Sequence, residues 1–349
     1  MSSRFDVVVI GAGPAGEVVV NTLLKAGKQI ALVEREVIGG ECSNWGCVPS
    51  KTLLRPPELR GQSTRAAGVA TPALDFDRLA AYRDYIVSNH DDSRRIARYE
   101  DRGVAVLKEE ARIVGPGRVA VDGRIVETGA IVVATGAEPV IPPIPGLAEA
   151  GYWTNRQVTD LTELPESAVF IGGGVVSVEL GQFLARFGTR VTIVQGPPTL
   201  ANREEPRIGE LLAETLAESG IELRLGRRAE AVRRENGESV VTLDDGSEAS
   251  GAALVVATGR APRVDGLGLE SAGIEPGPRG IIVDDRCRAG EGVWAIGDVT
   301  GVAMFTHVGK YQARIAAATA LRTLPDERLL MGADHRAHPM IEQPESVPA

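Results

Sequence analysis

Residues 5–36 read FDVVVIGAGPAGEVVVNTLLKAGKQIALVERE. A continuous apolar run, Val7 to Ile10, stops at Gly11, Gly13 and Gly16; helix-like spacing follows, and a second apolar run, Ile30 to Val33, closes at Glu34. Short apolar runs on either side of a helical period form a β-α-β unit. The three glycines have separate tasks: the first permits a tight turn, the second lets main-chain N–H groups approach a pyrophosphate, and the third lets helix pack closely on strand. A pyrophosphate would then sit at a helix N-terminus, where unsatisfied N–H groups and the helix dipole favour an anion. Glu34 fits an acceptor for a ribose hydroxyl.

The layout returns at 167–196, SAVFIGGGVVSVELGQFLARFGTRVTIVQG, with Gly172, Gly174 and Ser177 at the turn positions and Gln195 where Glu34 stood. The spacing is also kept: 23 residues separate Gly11 from Glu34, and 23 separate Gly172 from Gln195. Each copy is followed by an ATG tripeptide at a strand end, VVATGA at 132–137 and VVATGR at 255–260, which adds Thr135, Gly136 and Gly259 as candidate cofactor contacts. One such glycine pattern is a weak signal, whereas two copies with matching partners specify an α/β chain with two Rossmann-like dinucleotide-binding domains of three-layer ββα type. Between the copies, residues 75–102 read as an exposed, charge-rich helix, and 104–133 as short strands with turns at GPG and DG. A further meander covers 221–258, a helix is expected at Lys310–Arg322, and the polar, proline-containing end reads as a frayed tail.

With 349 residues, 43% hydrophobic and 24% charged, the chain suits two or three globular domains. A net charge of −9 with scattered basic residues argues against a nucleic-acid partner. No stretch reaches the roughly 18 apolar residues of a membrane helix, and the N-terminus does not read as a signal peptide, so a cytoplasmic protein without membrane contact is expected.

Two of the three cysteines fall within IGGECSNWGCVPSK, residues 38–51, as Cys42 and Cys47. In an ideal helix, positions i and i+5 lie about 8.7 Å apart, beyond the roughly 4.4 to 6.8 Å that a disulfide spans. A bridge therefore needs a distorted turn, which Gly46 would permit. The spacing is not that of a zinc site, only Cys287 and four histidines are left to complete one, and no metal site is expected. A redox-active pair stabilised by a helix N-terminus is the better reading.

GGECSNWGCVPSK, with the first fingerprint before it and ATG, the second fingerprint and AIGD (295–298) after it, resembles the class I pyridine nucleotide-disulfide oxidoreductases, the family of dihydrolipoamide dehydrogenase, glutathione reductase and mercuric reductase. The resemblance runs over roughly residues 4 to 335. It implies a discontinuous FAD domain (1–148 and 271–331) with an NAD(P) domain (149–270) inserted, and a remnant of an interface domain at 332–349. Gly11, Gly13, Gly16 and Glu34 would hold the FAD pyrophosphate and ribose, and Asp298 the ribityl chain. Cys47 would lie nearest the flavin and Cys42 would exchange with a small disulfide, dithiol or metal-ion substrate. Lys51 and Glu179 would form an ion pair beside the reactive flavin nitrogen. A diaphorase or quinone reductase that bypasses the dithiol, and an inactive FAD-binding protein, are the alternatives.

Three departures stand out. Trp45 replaces a small aliphatic residue and is expected to pack a helix. Gln195 replaces the acid of NAD enzymes and the arginine of many NADP enzymes, leaving either coenzyme open, with Arg203 nearby. The third is that the sequence stops at Ala349, near where the relatives' interface domain would begin, so the family's homodimer contact and its His–Glu acid/base pair are expected to be largely missing, at a cost of about 10² to 10⁴ in rate. His335 and His338 are expected to be tail residues, His307 to be structural, and Cys287 to lie inert in a strand.

Overall fold

The computed structural model describes residues 3–324. The first fingerprint folds as strand β1 (Ser3–Ile10), helix α1 (Pro14–Lys25) and strand β2 (Ile30–Val33). β1 and β2 run parallel with Val7 opposite Ile30. After β2 come the short helix α2 (Gly40–Asn44) and the long helix α3 (Cys47–Ser63).

The segment expected as one exposed helix is two helices, α4 (Phe76–Ile86) and α5 (Ser93–Glu100), divided by a bend in which Ser88, Asn89 and His90 all have positive φ. It is not simply exposed either: Leu79 is buried, and Arg83, only 1% exposed, turns inward to the Thr159 carbonyl. The bend serves the residues it presents. Asp92 accepts from the Ile38 amide at 2.8 Å and from Lys108 at 2.7 Å, and His90 bonds Asp160 at 3.0 Å.

Strands β3 (Ala105–Leu107), β4 (Ala111–Gly115), β5 (Arg118–Val121) and β6 (Arg124–Val133) follow, with turns at 115–117 and 122–123 as the sequence indicates. β7 (Ala137–Pro139) and α6 (Leu147–Ala150) lead into the second fold. There, α7 (Asn155–Thr159) precedes the second fingerprint: β8 (Ser167–Ile171), α8 (Val175–Arg186) and β9 (Arg190–Gln195). Helix α9 (Pro206–Glu218) and β10 (Glu222–Leu225) extend it; the antiparallel β11 (Ala229–Glu235), β12 (Glu238–Leu243) and β13 (Glu248–Gly251) lie beside it, and β14 (Ala253–Val256) closes a parallel sheet of order β10-β9-β8-β14. The chain leaves along β15 (Arg260–Pro262), which pairs antiparallel with β7. It then returns to the first sheet as β16 (Arg288–Gly290) and β17 (Val293–Ala295), giving the order β16-β17-β6-β1-β2-β3, and ends in helix α10 (Thr306–Thr323).

Packing follows this route. Leu147 is buried with Val169 and Val256 of the second fold, while Leu267 and Leu269 are buried with Val8 and Ile131 of the first. Helix α10 lays Ala313, Ala316, Ala317 and Ala320 on the core formed by Val7, Val19 and Leu23; small side chains let it approach closely. Cys287, expected in a strand, sits in the turn before β16 at φ 60°, buried in that same core, where burial pushes its thiol up to about 11. Among the described residues no helix is long and apolar enough to cross a membrane.

Gly16 meets the packing task read from the sequence. A Cβ on Gly16 would stand 2.0 Å from the Gly11 carbonyl oxygen, so Gly16→Ala must push α1 off β1. Overpacking of this kind costs about 1 to 3 kcal/mol. We expect Gly16→Ala to lower the urea-unfolding free energy by that amount without changing the cooperativity of the transition.

Candidate active site

Where β1 gives way to α1, the turn is fixed by two contacts that recur in the second fold. Gly11 (φ +102°) presents its bare Cα to the Ala134 carbonyl, which a Cβ would meet at 2.4 Å; Gly172 (φ +105°) does the same to Ala257, again at 2.4 Å. Glu34 accepts from the Ala12 amide at 2.8 Å, and Gln195 from the Gly173 amide at 2.7 Å. This second pair explains why an amide can stand where the first copy has a carboxylate: pinning the loop requires only an acceptor oxygen. Gln195 is buried and spends its NH₂ on the Thr199 carbonyl at 3.2 Å, whereas Glu34 uses its other oxygen for the Glu36 amide and, as a carboxylate, retains further acceptor sites.

A cleft of about 470 Å³ opens over the first turn, lined by Gly11, Gly13, Glu34, Thr135, Gly136 and Asp298, and also by Cys42. Gly16 lies beneath it in the packing of α1. Gly172, Gly174 and Gln195, around the second turn, and Gly259, after β14, do not line this cleft. The Thr135 hydroxyl donates to the Arg263 carbonyl at 2.8 Å, and the carbonyls of Gly136 and Gly259 accept from Arg263 and Val140, so the tripeptides also anchor the β7–β15 crossing. Burial pushes the Asp298 carboxyl above its usual range, with the Arg260 charge opposing.

The redox turn is built from the break between α2 and α3. Gly46 is needed there for closeness and not for a left-handed φ: a Cβ would lie 3.1 Å from the Glu41 carbonyl and 3.4 Å from Cys42 Cα. Cys42, half-buried, and Cys47, exposed at the first position of α3, are free thiols within hydrogen-bonding reach of each other. The hydrogen bond from Cys42 holds Cys47 down at about 6, helped by the Thr306 hydroxyl, the Lys51 charge and the amide at the start of α3, against the effect of burial. The same contact with Cys47, together with burial, pushes Cys42 far up. Lys51, one turn along α3, donates to both oxygens of Glu179 on α8 at 2.8 and 2.7 Å, and Ser50 joins them at 3.3 Å. The structure thus brings Cys42, Cys47, Lys51 and Glu179 together as expected from the sequence.

Several residues escaped sequence reading. Thr306 lies 3.8 Å from the Cys47 sulfur. Glu41 is gripped by Arg156, with Arg260 and Arg263 each 3.8 Å away. The partners of Trp45, expected from the sequence to pack a helix, are Asp160, Arg156 and His90. Only the adjacency of Glu41 to Cys42 could have hinted at this cluster; Arg156 and Asp160 carry no motif. His307 is exposed and stacks on Phe305, and His335 and His338 lie outside the described residues.

The residues present fit a dinucleotide in the cleft. A Cβ on Gly13 would meet nothing within 4 Å, so open space faces the start of α1. The buried Arg263 Nε has no hydrogen-bond partner, and its guanidinium lines the same space.

The sequence profile described as pyridine nucleotide-disulphide oxidoreductase matches residues 5–313. Dihydrolipoyl dehydrogenase of Chlorobaculum tepidum is 34% identical over 349 residues, covering 93% of this chain and 72% of the relative. Mercuric reductase of Staphylococcus aureus is 33% identical over 326 residues, covering 91% of this chain and 60% of the relative, and that of Bacillus cereus is covered to 52%. The chain therefore spans little more than half the length of those mercuric reductases. Among solved structures, the HOCl-induced flavoprotein disulfide reductase RclA of Escherichia coli superposes with a TM-score of 0.81 at 29% identity, covering 90% of this chain and 70% of that one. LpdA of Mycobacterium tuberculosis also gives 0.81 at 29%, covering 92% and 72%.

Two outcomes are expected from this geometry. Gly13→Ala should leave urea stability within about 1 kcal/mol yet weaken FAD binding at least tenfold in a fluorescence titration. In the reduced chain, iodoacetamide labelling of Cys47, located by peptide mapping, should rise with a midpoint near pH 6, because the thiolate forms above its lowered pKa.

Proposed function

Because the chain belongs to the pyridine nucleotide-disulphide oxidoreductase family, we propose that it is an FAD-dependent oxidoreductase working between NAD(P)H and a small disulfide, dithiol or metal-ion substrate through Cys42 and Cys47. The observation that carries this reading is that Cys42 lines the same cleft as Gly11, Glu34 and Asp298, with Cys47 within reach of it and the Lys51–Glu179 ion pair one turn along α3. Bound FAD would relay an electron pair between the nicotinamide and the sulfur pair.

The chain's own residues have definable tasks. Gly11, Gly13 and the start of α1 would hold the pyrophosphate, and Glu34, which holds the turn in shape through the Ala12 amide, would accept from the ribose. The Lys51 ammonium, fixed by Glu179, stabilises negative charge beside Cys47. Loss of the Cys42 proton, with Cys47 as an adjacent acceptor, would make Cys42 the nucleophile toward an incoming disulfide. Gln195 neither attracts nor repels a 2′-phosphate, which supports trying both coenzymes.

The test is spectroscopic. Anaerobic NADH or NADPH added to the FAD-loaded protein should bleach the flavin and raise a long-wavelength thiolate band. Cys47→Ser should remove the band, and Cys42→Ser should lower turnover of a model disulfide at least 10²-fold. Bleaching with quinone reduction that survives both substitutions would identify a diaphorase, and no bleaching with either coenzyme a passive FAD-binding protein.

A further inference from the structure

We infer that Trp45 and Arg156 are positioning residues for Cys42, forming a clasp between the redox turn and α7 that holds the Cys42 thiol against Cys47. The inference rests on the dithiol reading above and adds to it the residues that set the geometry of the pair.

Cys42 sits in α2, a helix of five residues. A helix this short has no stability of its own in water, since nucleation costs more than one or two turns return. Something outside it must fix its position. Asn44 ties it from within, donating to the Gly40 carbonyl at 2.9 Å. Most of the other ties come from α7 and its C-cap, with Arg260 and Arg263 also 3.8 Å from Glu41. On the N-terminal side of Cys42, the Glu41 carboxylate receives Arg156 through Nε at 2.7 Å and through Nη2, and the same guanidinium reaches Glu36 at 2.7 Å. On the C-terminal side, the Trp45 indole N–H donates to Asp160 at 3.0 Å, and the Trp45 carbonyl accepts from Asn155 at 2.9 Å.

The clasp also closes on itself. The Arg156 guanidinium lies 4.1 Å from the centre of the Trp45 ring, and His90 stacks on that ring at 5.0 Å and 18°. His90 reaches this place through the three left-handed residues 88–90, a backbone cost that packing must offset. The unusual bend, the tryptophan between the two cysteines and the half-buried carboxylate beside Cys42 thus serve one contact set. Hydrogen bonds weaken steeply with misalignment, so a turn free to shift by even part of an ångström would loosen the contact between the two thiols. The other groups facing Cys47, namely Lys51 on α3 and Thr306 on α10, and Lys310, which faces Cys42, stand outside the clasp and would be untouched by its loss.

The test is the pH profile of Cys47 alkylation by iodoacetamide in the full reduced chain, followed residue by residue by mass spectrometry. Trp45→Ala and Arg156→Gln should each raise the midpoint by at least one pH unit, toward the ordinary thiol value of about 8.5. Trp45→Phe and Arg156→Lys, which keep the ring and the charge, should give smaller rises. Circular dichroism and thermal unfolding verify that each variant is folded; if Trp45→Ala does not fold, Asp160→Asn carries the test, with a smaller rise expected. Folded variants with an unchanged midpoint would overturn the clasp while leaving the dithiol reading intact. A wild-type midpoint near 8.5 would instead overturn the dithiol reading and the clasp with it.

Discussion

Both halves of the molecule depend on one steric constraint, the contact of a carbonyl oxygen with a glycine that has no side chain. The Ala134 carbonyl occupies the space where any other residue at position 11 would carry Cβ, and the Ala257 carbonyl does the same at position 172. Because the tripeptide strands and the fingerprint turns touch here, contacts from β6 and from the β1–α1 turn converge on one cleft. The second turn inherits the same arrangement through β14 and β8. Nothing larger than hydrogen fits, so the repeat seen in the sequence is the record of a distance.

That is why the fold was legible from the sequence. Glycine spacing, apolar run length and the ATG partners are all local consequences of this contact, and each folds as read. The redox pair and the Lys51–Glu179 ion pair were legible for a different reason, since they lie in motifs that the family resemblance names. What escaped is non-local. Arg156, Asp160 and His90 have no pattern around them, yet they meet at Trp45 from segments 45 to 115 residues away. The charge-rich stretch 75–102 looked like one exposed helix because composition records polarity and not partners. Its bend is imposed by Asp92 and His90 reaching inward, and Arg83 is buried although its residue type is seldom found inside. Cys287 likewise carried no sign that it would close a left-handed turn.

The electrostatics of the two cysteines is a competition decided by geometry. Burial alone raises both thiols, as it does for Cys287, which has no thiol partner. Cys47 escapes that outcome because a second sulfur, a hydroxyl, an ammonium and a helix start all favour its charged form together. Cys42 takes the opposite shift from the same hydrogen bond. The asymmetry of the pair is thus produced by position within the turn, not by any difference in the residues themselves.

The chain enters the second fold along β7 and leaves it along β15, two strands that run side by side. Its two connections to the rest of the molecule are therefore neighbours, stitched to each other before either reaches its sheet. A unit attached in this way behaves as a cassette. Exchanging the segment between the two strands for another unit leaves β1, β6 and β17 in register, so the second fold can be replaced by recombination at a single seam without disturbing the first.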